Sequence, residues 1–242
     1  MRVLRPLAFN VLWAGWTAIF GVAIPLLWLG GSPPRMIRKL SRAWARGVLA
    51  LLAAIVGLRY VVRGADNRPP QPCLIVVNHQ STWETLAALV LFPDVAIVAK
   101  RQLLRIPVMG WYLKHSPMII IDREQGTKAL RQMTHASRVA LAEGRSVLIF
   151  PQGTRTPVGI PVRFKRGVEL LYRSLAIPVL PVALDAGRFW GPGAWAKAPG
   201  TVTVSMLTPI EPGMSAAQFV RMAEAAIEAE TAVMAIGSSI ES

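Results

Sequence analysis

Residues 7–30 carry no charged side chain and are mostly apolar. Wound as a helix, this run reaches roughly 36 Å at 1.5 Å per residue, enough to cross or deeply enter a bilayer. Pro6 suits a first helical turn and Pro25 predicts a kink. Trp13, Trp16 and Trp28 are expected at headgroup depth. Ser32-Pro33-Pro34 ends the helix. Next, Arg35, Arg38, Lys39, Arg42 and Arg46 recur at three- and four-residue steps and share one helix face, with Met36, Ile37, Leu40 and Trp44 over much of the rest. That pattern predicts an interfacial helix whose cations meet an anionic phospholipid membrane. Its apolar continuation, residues 47–58, is too short to span alone. Residues 1–60 therefore read as a membrane-anchoring helical hairpin. A cleaved signal peptide would show a shorter apolar core and small residues before a cleavage site.

Composition points the same way. The formal charge of +14 attracts polyanions, whether nucleic acid, anionic lipid or an acidic carrier protein. An apolar share of 53% favours lipid, so nucleic acid is not an expected partner. No acidic residue precedes Asp66, whereas Arg2, Arg5, Arg35, Arg38, Lys39, Arg42, Arg46 and Arg59 all do. A soluble surface mixes both signs. The 242 residues suffice for one domain with a real core. Cys73 is the only cysteine, which excludes an intrachain disulfide, and three histidines without a second cysteine give no zinc spacing. No metal is expected.

From residue 61 to 242 short apolar runs alternate with helical patterns. Strands are expected at 73–77, 95–99, 118–121, 146–150, 179–184 and 202–207. Helices are expected at 82–91, 108–114, 127–142, 165–174 and 216–234. Such alternation predicts a layered α/β domain.

Two blocks in that domain carry chemistry. Residues 78–85 read Asn-His-Gln-Ser-Thr-Trp-Glu-Thr directly after an apolar strand. If Ser81 or Thr82 caps the following helix, Glu84 lies in its first turn and can turn back to one ring nitrogen of His79. A carboxylate there fixes the tautomer and leaves the other nitrogen free to take a proton from an alcohol. Ser81-x-x-Glu84 also fits a capping box, in which Glu84 satisfies only a backbone amide. Residues 150–155 read Phe-Pro-Gln-Gly-Thr-Arg, again after an apolar strand. Gly153 lets amides approach an anion, Thr154 adds a hydroxyl, and Arg155 can grip phosphate with paired hydrogen bonds. Lys100 and Arg123 also follow strand ends. Loops bearing His79 and these cations would form a cleft for an anionic substrate if they met at one sheet edge. Ser81 lacks the Gly-x-Ser-x-Gly elbow of an esterase. His115 and His135 show no partner in the sequence and are expected at the surface.

These blocks, in this order, resemble the glycerolipid acyltransferase family, most closely its bacterial 1-acyl-sn-glycerol-3-phosphate acyltransferases. His79 and Glu84 fit the family's His-x4-Asp block, residues 110–123 its second block with Arg123 at the phosphate position, and residues 150–155 its Phe-Pro-Glu-Gly-Thr-Arg block. Val179-Leu180-Pro181-Val182 fits its late apolar-proline block, and Lys100 a lysine near the substrate phosphate. Glu84 stands where the family mostly has aspartate, and Gln152 where it has glutamate. The resemblance implies a mixed sheet flanked by helices and an N-terminal membrane anchor. It implies acyl transfer from acyl-CoA or acyl-carrier protein to the sn-2 hydroxyl of lysophosphatidic acid, without a bound cofactor. It implies His79 as base, Glu84 as its orienting group, and Lys100, Arg123, Gln152, Gly153, Thr154 and Arg155 as substrate-binding residues. It places the enzyme in the bacterial inner membrane with its site on the cytoplasmic side. Other readings remain open: another lyso-lipid acceptor such as a lyso-ornithine lipid, or a non-catalytic basic membrane-binding protein.

Overall fold

The central strands are near-continuous apolar runs, which in a sheet means burial on both faces. The computed structural model describes residues 4–193 and 195–237, so Arg2 of the basic N-terminal set lies outside the described residues. Seven strands form one sheet: β1 (Leu58–Arg63), β2 (Leu74–Val77), β3 (Ala96–Lys100), β4 (Ile119–Ile121), β5 (Val147–Ile149), β6 (Val179–Leu184) and β7 (Gly200–Met206). Their order is β1-β7-β6-β2-β5-β3-β4. All neighbouring pairs run parallel except β6 with β7, so the sheet is mixed.

Helices α1 (Leu4–Leu29), α2 (Pro34–Leu51), α3 (Trp83–Leu91) and α4 (Met109–His115) precede α5 (Thr127–Ala142), α6 (Arg166–Leu175) and α7 (Ala216–Gly237). One buried cluster joins α1, α2 and α3 to Ile75, Val77, Ile97, Leu148 and Leu180. A second joins α5, α6 and α7 to Leu74, Val76, Val98, Val147 and Ile149. Alternate residues of the same strands thus feed opposite faces, as the period of two requires.

The strands and helices expected beyond residue 72 are all present. β1 was not expected. Its sequence, Leu-Arg-Tyr-Val-Val-Arg, is short and charged, and its strand state rests on parallel pairing with β7, from Leu58 with Gly200 to Arg63 with Ser205. It runs across position 60, where the anchor was expected to end. Before it, α2 widens into a π turn over Leu52–Val56 and stops at Gly57, whose φ of 79° a glycine adopts freely.

α1 is continuous through Pro25 and is long and apolar enough to cross a membrane by length and composition. Leu7, Val11, Ile19, Val22, Leu26 and Trp28 are exposed on it. Two of the three expected headgroup tryptophans face the protein instead. Trp13 packs edge-on to Trp190, and Trp16 Nε1 donates to the Trp44 carbonyl at 3.0 Å. Phe9, Trp13, Trp16 and Phe20 recur at helical steps, so the face they share is the one α1 docks. Only Trp28 stays exposed.

The basic face of α2 is also divided. Arg35, Lys39 and Arg46 are exposed, but Arg38 and Arg42 turn to Asp94, at 3.2 and 3.6 Å. A carboxylate within reach holds a guanidinium better than a distant headgroup does, so these two cations tie α2 to the β-sheet domain.

Gly47 lies where α2 crosses α1: a Cβ there would sit 2.4 Å from the Trp16 ring. Gly47→Val is expected to push the hairpin apart and cost about 1–3 kcal/mol. Thermal unfolding in detergent would show a lowered midpoint; an unchanged midpoint would mean the helices do not pack this tightly.

Candidate active site

Strands β2, β5, β3 and β4 are consecutive neighbours and parallel, so their carboxyl ends open on one side. The loops that follow β2, β5 and β4 carry His79, residues 150–155 and Arg123, and Lys100 is the last residue of β3. These loops border one cavity of about 940 Å³, lined by His79, Lys100, Arg123, Gly153, Thr154 and Arg155 among others.

The His79 loop is held from three sides. Asn78, fully buried, donates through Nδ2 to the Leu184 carbonyl at 2.8 Å, and its Oδ1 accepts from the Leu184 amide at 2.9 Å. Its amide thereby continues the β2–β6 pairing one residue further. The His79 amide donates to Gln152 Oε1 at 2.6 Å, and the His79 carbonyl accepts from the Thr156 amide at 2.8 Å. The imidazole stacks on Phe150, with centroids 4.2 Å apart.

Glu84 sits in the first turn of α3, where a carboxylate is favoured by the free amides and the helix dipole. Its Oε1 accepts from His79 Nδ1 at 2.8 Å and from the Gln80 and Ser81 amides at 2.6 and 2.5 Å. The Ser81 hydroxyl in turn accepts from the Trp83 amide. The two sequence readings of Glu84 therefore hold together: one oxygen closes the cap and orients the imidazole. A carboxylate only accepts, so Nδ1 carries the proton and Nε2 keeps its lone pair. Glu84 is 2% exposed, and its Oε2 is buried without a partner among the described residues.

Three cations gather beside this pair. Arg123 Nη1 donates to the Gly153 carbonyl, and Arg155 Nη1 to Thr82 Oγ1 at 2.8 Å. The Lys100 ammonium is held below its ordinary range, first by desolvation, then by the positive fields of Arg123 and Arg155. Gly153 has φ 74°, and a Cβ there would lie 2.9 Å from Arg123 Nη1, so the close approach needs glycine.

Gln152 departs from expectation. It is 5% exposed and does not border the cavity. Oε1 receives the His79 amide while Nε2 donates to Thr156 Oγ1 at 2.6 Å. Because β2 and β5 are adjacent, the turn after β5 points this side chain at the His79 loop. It is a strut between two loops, with both ends of its amide engaged by the protein. Phe150, Asn78 and Thr156 also position His79; membership in the two short blocks hinted at the first two, and Thr156 lies one residue beyond the second block. His115 stacks on Trp111 at 4.3 Å, and His135 is exposed. Among the described residues no group of three or more His, Cys, Asp or Glu is placed to hold a metal.

Away from the cations, the cavity turns apolar. Trp13, Phe20, Trp44, Leu86, Tyr112 and Met118 line it on the face that carries α1 to α4. A base, its orienting carboxylate, a cation cluster and a long apolar recess suit proton transfer on an anionic amphiphile.

Comparison with known proteins bears on this site. A family model described as Acyltransferase matches residues 59–185, more than half of the chain. A 1-acyl-sn-glycerol-3-phosphate acyltransferase of Pseudomonas aeruginosa is 44% identical over 161 residues, 66% of this chain. The chain spans 63% of that relative's length. The human 1-acyl-sn-glycerol-3-phosphate acyltransferase alpha is 31% identical over 71% of this chain and 60% of its own length. The crystal structure of the 1-acyl-sn-glycerophosphate (LPA) acyltransferase of Thermotoga maritima superposes with a TM-score of 0.79 at 22% identity, covering 97% of this chain and 98% of that one. At that identity the superposition shows the shared fold.

Gln152→Ala is expected to strand the His79 amide and cost about 1–3 kcal/mol of stability together with a loss of turnover. Gln152→Glu keeps the acceptor and should retain most activity, since the Thr156 hydroxyl can donate to it. Unfolding midpoints and kcat for both variants check this; equal behaviour would mean the strut is dispensable.

Proposed function

The chain belongs to the Acyltransferase family, and from that premise we propose that it moves a fatty acyl group from a thioester donor to the sn-2 hydroxyl of 1-acyl-sn-glycerol-3-phosphate, giving phosphatidic acid. The observation that carries this reading is the 2.8 Å contact of His79 Nδ1 with Glu84 in a cavity shared with Lys100, Arg123 and Arg155.

Nε2 of His79 takes the proton of the acceptor hydroxyl as the oxygen attacks the thioester carbonyl. The tetrahedral intermediate collapses with cleavage of the carbon–sulfur bond. The imidazolium returns its proton to the leaving thiolate, and Glu84 stabilises the cation between the two transfers. Lys100, Arg123 and Arg155 hold the acceptor phosphate, with Thr154 beside them and Gly153 shaping the turn. Neighbouring cations make Lys100 hungry for a dianion, because a phosphate relieves their mutual repulsion. The apolar recess takes hydrocarbon. Residues 1–60 anchor the protein and residues 61–242 catalyse, the seam passing through β1. The anchor sets the cavity at the lipid surface, on the cytoplasmic side of a bacterial inner membrane, where lysophosphatidate and an acyl-CoA or acyl-carrier-protein donor meet.

His79→Ala is expected to lower acyl transfer by at least about 10²–10⁴-fold while binding to anionic vesicles is unchanged. Transfer near the wild-type rate would remove His79 as the base. Arg155→Ala should raise KM for the phosphorylated acceptor by roughly tenfold, the factor worth about 1.4 kcal/mol, and leave the donor's KM little changed. Steady-state kinetics with each substrate varied in turn separates these; an equal rise for both would count against a phosphate clamp at Arg155.

A further inference from the structure

The cavity holds more positive charge than one substrate needs. Lys100, Arg123, Arg155, Lys165 and Arg166 line it, and among the described residues no aspartate or glutamate does. A phosphomonoester brings at most about two negative charges. Lys100, Arg123 and Arg155 already match that, and the fields of both arginines reach Lys100. Lys165 and Arg166 come from a different element, the start of α6, and the charges that act on Lys100 are those of Arg123 and Arg155.

Both are exposed, and neither has a carboxylate partner among the described residues, in contrast to the neighbouring Arg163. Arg163 pairs with Glu224 at 3.3 Å and Glu228 at 3.8 Å, both on α7. The chain here is fixed by its backbone. The Val162 and Phe164 amides donate to Glu228 and Glu224 at 2.8 and 2.6 Å, and the Lys165 amide donates to the Pro151 carbonyl at 2.9 Å. The last bond ties Lys165 to the turn that carries Gly153 and Arg155. Two cations without a carboxylate partner among the described residues are thereby anchored through their backbone at the cavity wall, where they add to a positive field that draws anions.

The wall beside them is apolar: Ala129, Leu130 and Met133 of α5 and Val168 of α6. Gly167 lies against it, and a Cβ there would come 3.3 Å from Met133 Cε. This slot lies on the α5–α6 face of the sheet, opposite the recess formed by Trp13, Phe20 and Trp44.

We infer that Lys165 and Arg166 bind the phosphate of the donor's phosphopantetheine arm, with the arm passing along the α5–α6 slot to His79. This rests on the acyl-transfer reading. Acyl-CoA and acyl-carrier protein share one chemical element, a flexible arm with the thioester at one end and a phosphate at the other. The thioester must reach His79 while its phosphate stays clear of the acceptor's clamp. A second, separate cation pair meets both demands, and keeps two like-charged phosphates apart.

The test uses the full-length protein in detergent micelles and the double variant Lys165→Ala/Arg166→Ala. KM for the thioester donor should rise roughly tenfold, with KM for lysophosphatidate little changed and Arg163→Ala like wild type. Phosphopantetheine should inhibit wild type competitively against the donor and better than pantetheine, and the double variant should lose that preference. The loss should be equal with every donor that wild type accepts, acyl-CoA or acyl-carrier protein. Wild type that does not distinguish phosphopantetheine from pantetheine overturns the inference and points to the nucleotide phosphates of CoA. A rise confined to the acceptor's KM, or an unchanged donor KM, also overturns it. Wild type that acylates no lyso-lipid refutes the parent reading instead, and calorimetric binding of phosphopantetheine to wild type and variant still decides the site.

Discussion

Glu84 Oε1 is the point on which the site turns. It accepts three hydrogen bonds, from His79 Nδ1 and from the Gln80 and Ser81 amides. The same oxygen thus starts α3, folds the loop back and sets the tautomer of the imidazole. Its neighbour Oε2 is buried and has no partner among the described residues, so the hydrogen bonds to the carboxylate are concentrated on one side. Such a group tolerates little displacement, because moving Oε1 breaks the cap and the imidazole contact together. The longer side chain of glutamate still reaches His79, at 2.8 Å.

Around that oxygen the sheet supplies the rest. Parallel β2, β5, β3 and β4 bring loops from distant parts of the chain to one edge. The struts between those loops are short and local: Gln152 to His79, Thr156 to His79, Arg155 to Thr82, Arg123 to Gly153. The cations and the imidazole therefore sit on a common support, the preorganised arrangement that the proposed acyl transfer needs. The helical hairpin is fastened to the same support. Arg38 and Arg42 meet Asp94, Tyr112 donates its hydroxyl proton to the Phe20 carbonyl, and the Lys197 ammonium lies 4.5 Å from the Trp190 ring centroid and bonds Asn10. A long apolar helix is thus keyed in orientation to the cavity it helps to line.

Periodicity made most elements readable. α5 and β6 begin and end at the expected residues, since amphipathic repeat and a buried apolar run are both local signals. β1 was silent because its alternation is broken by arginines and its partner β7 lies far along the chain. The roles of individual side chains were less visible. A tryptophan near a membrane segment looks the same in sequence whether it meets headgroups or Trp190. Gln152 lies in a motif whose neighbours border the cavity, yet its own side chain points between loops.

The sequence by itself determined the helical hairpin, the alternation that yields an α/β sheet, and the chemistry of a histidine with a carboxylate five positions on. These follow from spacing within a few residues, where covalent geometry limits what side chains can reach. Tertiary structure decided strand order, and with it which loops share a cavity. It also decided which cations are spent on Asp94 or Glu224 and which stay free. Partners separated by tens of residues are chosen by packing and by competition among nearby charges, and no local pattern encodes the outcome of that competition.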